Sequence, residues 1–332
     1  MYGIINLLCG IGLFLMGMTM MSEYTTSAFG EKLKGTLSVL TKNKLSGVLT
    51  GLTVTGIIQS SCATTVTAVS LVSAGILSLS GAVGIVMGAN IGTTATSLII
   101  AFNFSDIAPI AVFLGSVLKM FCKKEKLQSI GMITVGFGLL FIGLNTMASS
   151  FEELKDNSTF LTFISKTDGK LQGVITGFIM TAIMQSSSAT VGILQALAMQ
   201  GAVPLKTAFY IILGQNIGAV VPVIISSFGA SKQAKQVSVI HLLFNLIGTA
   251  IFLITMEFIP YEEIFSPVKN SSMSISLFHI FFNVASTFML LPMSDLLIQI
   301  SDKLTPGILI YKKRKIEAEK HPLFSLIFPV NS

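Results

Sequence analysis

Two short polar runs interrupt otherwise apolar sequence. Gln59-Ser60-Ser61-Cys62-Ala63-Thr64-Thr65 is the first, and Gln185-Ser186-Ser187-Ser188-Ala189-Thr190 follows 126 positions later. Serine is a strong N-cap, so a helix is expected to begin after each Gln-Ser pair. The first backbone N–H groups of such a helix have no intrahelical acceptor and carry partial positive charge. They suit an anion, above all a tetrahedral oxyanion with several acceptor atoms. The hydroxyls of Ser60, Ser61, Ser186, Ser187 and Ser188 add donors, and Gln59 and Gln185 each add an amide. A dianion held by dipoles alone would be poorly compensated, because burying charge is costly. A co-bound cation such as Na⁺ would repair the balance, held by hydroxyl, amide and carbonyl oxygens at broken helices. Asn90, Thr93 and Thr94 in "GANIGTT", and Asn216 in "GQNIGAV", are further oxygen donors.

Blander readings exist for each group. Serine and threonine in membrane helices often only join helices, and a buried Asn can simply satisfy a neighbouring backbone. Two copies in register, each with its Gln, tip the balance to a site. A serine hydrolase needs a base beside its nucleophile. No Lys, His or Asp stands at a partner position in either run, so the chemistry is binding and the chain is not an enzyme. His241 and His279 read as packed histidines. Cys9, Cys62 and Cys122 show no metal or disulfide spacing and read as free thiols.

The elements that must position these groups are membrane helices. The 332 residues are 52% hydrophobic and 11% charged, with a mean hydropathy of +0.81. Soluble domains carry about 25% charged residues. Spanning helices are expected near 4–24, 81–101, 107–121, 130–149, 205–226, 237–256 and 274–300, the first retained rather than cleaved as a signal. No Arg or Asp falls in these spans near the polar runs. The segments 45–78 and 171–201 are different. Each is cut in the middle by a polar run into halves of roughly 20–24 Å as helix, too short to cross about 30 Å of hydrocarbon. A re-entrant hairpin with the Gln-Ser-Ser at its tip is expected for both.

Charge sorts the loops. Lys32, Lys34, Lys42 and Lys44, then Lys119, Lys123, Lys124 and Lys126, then Lys232 and Lys235, then Lys303, Lys312, Lys313, Arg314 and Lys315 fall on one face if both hairpins are re-entrant. That face is expected to be cytoplasmic. Glu152, Glu153, Asp156, Asp168, Glu257, Glu262 and Glu263 fall on the other. The net charge of +6 therefore reflects topology and not a nucleic-acid partner. The expected protein is integral to the plasma (inner) membrane, N-terminus outside, C-terminus in the cytoplasm, with lipid around it.

The 126-residue recurrence extends beyond the two runs. "LSGVLTGLTVTGIIQSSCAT" at 45–64 matches "LQGVITGFIMTAIMQSSSAT" at 171–190, Gly10 matches Gly136, and "GANIG" at 88–92 matches "GQNIG" at 214–218 without a gap. This is a duplication. Each copy holds three crossings and one hairpin, so the second copy is expected upside down. Inverted repeats with broken helices are a transporter architecture whose site lies at the midplane. The expected fold is an all-α polytopic membrane protein: a first repeat over 1–126, an inverted second over 127–256, a loop and final spanning helix over 257–302, and a basic tail over 303–332.

With these residues in view, the chain resembles the type II sodium-dependent phosphate cotransporters and their bacterial relatives. The resemblance rests on "QSSCATT" at 59–65, "QSSSAT" at 185–190, "GANIGTT" at 88–94 and "GQNIG" at 214–218, and covers about residues 4–300. It implies Na⁺-driven inward symport of inorganic phosphate between the two tips, without an organic cofactor. By motif position it implies phosphate ligands at Ser60, Ser61, Ser186, Ser187 and Ser188. It implies Na⁺ ligands at Gln59, Gln185, Thr64, Thr65, Thr190 and Thr93, with Asn90 and Asn216, grouped with phosphate, able to serve either. Cys62 stands where many relatives have a third Ser, and "GQNIGAV" lacks the Thr pair of the first copy, so the halves are not equivalent. Many bacterial relatives carry a soluble C-terminal helical domain. Here about 30 residues follow the last expected span, as in a short member or the membrane part of a longer one. A homodimer would suit a fixed scaffold, though no sequence feature demands one. Rival readings are a sulfate or dicarboxylate transporter, a phosphate-sensing subunit that binds without flux, and an exporter.

Overall fold

A chain this apolar must satisfy its backbone polar groups within itself, which helices do. The computed structural model describes residues 2–39, 41, 43–154, 169–266 and 270–305, and among them only helices and connecting turns occur. In order these are α1 (Tyr2–Val39), α2 (Lys44–Ile58), α3 (Ser61–Ser73), α4 (Leu79–Ala101), α5 (Ala108–Phe121), α6 (Glu125–Leu154), α7 (Lys170–Met184) and α8 (Ser187–Met199). Then come α9 (Leu205–Gly218), α10 (Val221–Ser226), α11 (Lys232–Thr255), α12 (Tyr261–Phe265), α13 (Ser271–Leu290) and α14 (Ser294–Leu304).

Six stretches of the described residues are long and apolar enough to cross a bilayer: Gly3–Gly30, Leu79–Ala101, Glu125–Phe151, Leu205–Ser226, Lys232–Thr255 and Ser271–Leu290. The sequence led us to expect seven. The difference is the segment near 107–121, which forms the 14-residue α5, about 21 Å long. The span expected at 274–300 also stops early. Helix α13 ends at Leu290, before Pro292, whose missing N–H cannot continue the ladder, and the amphipathic α14 follows. The span at 205–226 is divided between α9 and α10 for the same reason at Pro222. Lys42, Asp156, Asp168, Lys312, Lys313, Arg314 and Lys315 lie outside the described residues, as do the side chains of Lys32, Lys34, Glu152 and Glu153.

Glycines set the helix pairs. A Cβ built on Gly17 would press on the Gly136 carbonyl, and one on Gly10 would lie 3.0 Å from the Gly143 carbonyl. Rising numbers on α1 meet falling numbers on α6, so the two cross antiparallel. Helices α2 and α4 are parallel: Gly51 abuts the Ile85 carbonyl, Gly88 that of Val48 and Gly92 that of Leu52. The same contacts recur 126 residues on between α7 and α9, where Gly177 abuts Ile211, Gly214 abuts Val174 and Gly218 abuts Phe178. Because α2 and α4 start at the same end, the chain between them doubles back through α3. A hydroxyl pair pins each fold-back, Thr55 to Thr64 at 2.9 Å and Thr181 to Thr190 at 2.8 Å.

Ion pairs place the ends. Lys232, opening α11, pairs with Asp302 of α14 at 2.6 Å, and Lys44, opening α2, pairs with Asp295 of α14 at 2.7 Å. Lys170, opening α7, pairs with Glu257, just past the other end of α11. The starts of α2 and α7 therefore lie towards opposite ends of α11. The end bearing Lys170 also carries Lys206, because α7 and α9 run in parallel, so lysine is not confined to one end.

Burial separates centre from rim. The most apolar windows of Leu79–Ala101 and Leu205–Ser226 are 78% and 72% buried, against 33% for Gly3–Gly30. Helices α4 and α9 are thus the inner posts. Gln195 of α8 donates to Ser272 Oγ at 2.9 Å and Ser276 Oγ at 2.8 Å on α13, and its amide also reaches the Ser97 carbonyl of α4 at 3.1 Å. This polar bracket holds the return arm of the second fold-back against the centre.

Candidate functional site: one cavity between two broken helices

Helix α2 ends at Gln59, which takes a left-handed conformation (φ 60°, ψ 26°), and α7 ends at Gln185 in the same way (φ 53°, ψ 21°). Only one other non-glycine among the described residues, Asn103, has a positive φ. The left-handed region is costly for a residue with a Cβ, and such strain gathers at functional sites. The next residue is extended and caps the following helix. Ser60 Oγ accepts from the Ala63 N–H at 3.1 Å and Ser186 Oγ from the Ala189 N–H at 3.2 Å. Capping occupies a lone pair of each serine but leaves its O–H free to donate. The N–H groups of the first turn beyond each cap remain without intrahelical acceptors.

The two breaks meet. A cavity of about 200 Å³ is lined by Gln59, Ser60, Ser61 and Cys62 from the first and by Gln185, Ser186, Ser187 and Ser188 from the second. Met18, Thr19, Ser22 and Glu23 of α1, with Ala219 between α9 and α10, complete its wall. Two helix starts therefore converge on one small space. Each contributes roughly half a positive charge, so together they offset about one charge of a bound anion.

Seven of the residues expected at the site line the cavity: Gln59, Ser60, Ser61, Gln185, Ser186, Ser187 and Ser188. The other six stand behind it. Thr64 and Thr190 are the inner halves of the hydroxyl pairs that pin the fold-backs. Thr65 donates to the Ser61 carbonyl at 2.7 Å and Thr93 to the Ala89 carbonyl at 3.0 Å. Asn90 donates to the Val86 carbonyl at 2.9 Å and meets His241 Nε2 at 3.1 Å. Asn216 donates to the Ile212 carbonyl at 2.9 Å. In this arrangement Thr64, Thr190 and Asn90 join one helix to another, whereas Thr65, Thr93 and Asn216 bond back to their own helix. His241 and His279 are buried, as expected of packed side chains.

The contribution of α1 escaped the sequence reading. Met18, Thr19, Ser22 and Glu23 form one stripe at i, i+1, i+4 and i+5, one turn beyond Phe14, whose ring abuts Gly192 of α8. The signal was a polar stripe of helical period at the end of an apolar span. One backbone feature could serve a cation. Pro222 has no N–H to give the Gly218 carbonyl, and that carbonyl adjoins Ala219 in the cavity wall.

Comparison with known proteins gives a consistent set of relatives. The family described as Na⁺/Pi-cotransporter matches residues 13–150 and 147–280. The uncharacterized protein YqeW of Bacillus subtilis is 29% identical over 298 residues, covering 89% of this chain and 95% of its own length. The putative inorganic phosphate export protein YjbB of Escherichia coli is 26% identical over 301 residues, 89% of this chain. The chain spans about half of YjbB, 54% of its length. Sodium-dependent phosphate transport protein 2A of Ovis aries is 39% identical over 85 residues, 24% of this chain and 13% of that protein. No solved structure matches the chain.

Proposed function

The chain belongs to the Na⁺/Pi-cotransporter family, and on that footing we propose that it carries inorganic phosphate across the plasma membrane together with Na⁺. The observation that carries the reading is the single cavity into which both Gln-Ser-Ser breaks open. Phosphate sits between the starts of α3 and α8, bound by their free N–H groups and by Ser60, Ser61, Ser186, Ser187 and Ser188. Two helix starts supply about one positive charge against a dianion and the Glu23 carboxylate in the same wall, which leaves a deficit that Na⁺ fills. Gln59 and Gln185 in the cavity wall, with the Gly218 carbonyl beside Ala219, offer it oxygens.

The two fold-backs are re-entrant hairpins of inverted repeats, over residues 1–126 and 127–256. Two findings support this. The equivalent helices α1 and α6 cross antiparallel, and the starts of α2 and α7 lie towards opposite ends of α11. Transport then proceeds by alternating access, the cavity opening to one face and then the other. The end bearing Lys44, Lys232 and Asp302 is cytoplasmic. Net direction follows the gradients, and export is a specific second reading because the relative named as a putative phosphate exporter matches across 89% of this chain.

Radiolabelled phosphate uptake into proteoliposomes tests the proposal. With an imposed Na⁺ gradient, phosphate accumulates; with K⁺ in place of Na⁺ it does not. Na⁺-dependent phosphate binding without any flux, in either orientation of the gradient, would replace the transporter by a sensor.

A further inference from the structure

The donors that surround the cavity do not explain how phosphate is told from sulfate. Both are tetrahedral oxyanions of similar size, and hydrogen phosphate and sulfate both carry two negative charges. They differ in one respect: hydrogen phosphate keeps a proton on one oxygen and sulfate keeps none. Free N–H groups and hydroxyls donate equally well to either. Discrimination needs a group that accepts a hydrogen bond and cannot give one.

Among the residues lining the cavity, Glu23 is the only oxygen-bearing side chain that, once ionised, has acceptors and no donor. Serine and threonine hydroxyls rotate between the two roles, and Gln59 and Gln185 can present either end of their amides. No hydrogen bond or ion pair engages the Glu23 carboxylate among the described residues, so it is not committed to holding helices together. Its neighbours on the stripe, Thr19 and Ser22, line the same wall. Glu23 shares this cavity with the serines of both breaks, so one bound anion lies among all of them.

We propose that Glu23 is the specificity-determining residue of this cavity, accepting a hydrogen bond from the protonated oxygen of phosphate and repelling the unprotonated oxygens of sulfate. This rests on the phosphate reading above and deepens it. No covalent step is involved: the proton stays on the oxyanion, and a lone pair of the carboxylate meets it. A bound sulfate would instead set two acceptors against each other, with neither able to turn. Arsenate, which is protonated like phosphate, passes the same filter.

The test is competition against Na⁺-dependent [³²P]phosphate uptake in proteoliposomes, with sulfate and arsenate as competitors, for wild type, Glu23→Asp and Glu23→Gln. The readout is the ratio of the sulfate to the phosphate inhibition constant, which does not depend on the absolute rate. For wild type and Glu23→Asp, arsenate should compete and sulfate should not. In Glu23→Gln, whose amide can donate, the ratio should fall roughly 10- to 100-fold, less than in a fully closed polar site because Glu23 is exposed. If Glu23→Gln transports too slowly, thermal shift of the purified protein by sulfate, arsenate and phosphate in Na⁺ reads the same ratio. Sulfate excluded equally by wild type and Glu23→Gln overturns this proposal and leaves the phosphate reading standing. So does a Glu23→Gln variant whose half-saturating Na⁺ rises while sulfate stays excluded, which would make Glu23 a cation ligand. Wild type that handles neither phosphate nor arsenate overturns the phosphate reading, and this proposal with it.

Discussion

Ser186 and Ser187 are neighbours in the same cavity wall with different partners. Ser186 Oγ accepts the Ala189 N–H and so caps α8, whereas Ser187 is the first residue of the helix and lines the cavity. Removing a cap costs about 0.5–2 kcal/mol of stability. Removing a donor to an ionised ligand costs about 1.5–3 kcal/mol of binding, or roughly 10- to 100-fold in affinity. Ser187→Ala should therefore weaken phosphate by that factor and leave the melting temperature in detergent near wild type, while Ser186→Ala should lower both. Calorimetry of binding alongside a thermal melt separates them, and equal melting losses would mean that Ser187 is also structural. At this scale the sequence was readable where residue type and repetition coincided. Both Gln-Ser-Ser runs could be placed at one site because they recur in register. Thr64, Thr65, Thr190 and Thr93 belong to the same motifs, yet their hydroxyls turn to carbonyls and to Thr55 and Thr181, since a helix offers threonine a nearby backbone acceptor. Glu23 was missed because it stands in no repeated motif: its counterpart 126 positions on is Ser149.

Elements are held apart by what glycines allow. A Cβ at Gly177 would fall on the Ile211 carbonyl and 2.9 Å from the Gln215 backbone nitrogen, so α7 would have to leave α9. Gly177→Ala should cost about 1–3 kcal/mol, the usual range for overpacking, and displace the second break from the cavity. Gly56 of α2 is the contrast, with nothing within 4 Å of an added Cβ. Gly56→Ala should hold or raise stability by up to about 1 kcal/mol through helix propensity alone, and the repeat already carries Ala182 at the equivalent place. Melting both variants in detergent decides it; similar losses would mean that close helix approach is not what these glycines provide. The breaks at 59 and 185 were legible because polarity fell where apolar length ran out. Those at Pro222 and Pro292 were not, since hydropathy carries straight across a residue that lacks only an N–H. The short α5, 14 mostly apolar residues, falls below the length of the six candidate spans. It nevertheless runs antiparallel to α6, Gly115 meeting Gly131 and Gly138 meeting Ala108, as the opposed directions of α1 and α6 require.

The whole molecule turns on whether the two copies face opposite ways. Lys44 and Lys170 occupy equivalent positions, 126 apart, each opening the arm that leads to a Gln-Ser-Ser break. Their partners nevertheless lie towards opposite ends of α11: Asp295 on α14, beside the Lys232 end, and Glu257 past the other. Exposed pairs of this kind are worth about 0–1 kcal/mol, so each lysine can be replaced without loss of the fold. In a background with Cys9, Cys62 and Cys122 replaced, Lys170→Cys should react with an impermeant maleimide in intact cells. Lys44→Cys should react only after permeabilisation, and inside-out vesicles should reverse the order. Labelling of both from one face would sink the inverted arrangement, whatever the transport assays showed. Opposite labelling has a mechanical consequence. A cavity bounded by two copies of one unit, set in opposite senses, is reached from either face past nearly the same helices. Opening towards one side then needs no second device for the other, because the same movement, applied to the copy that faces the other way, opens the opposite path.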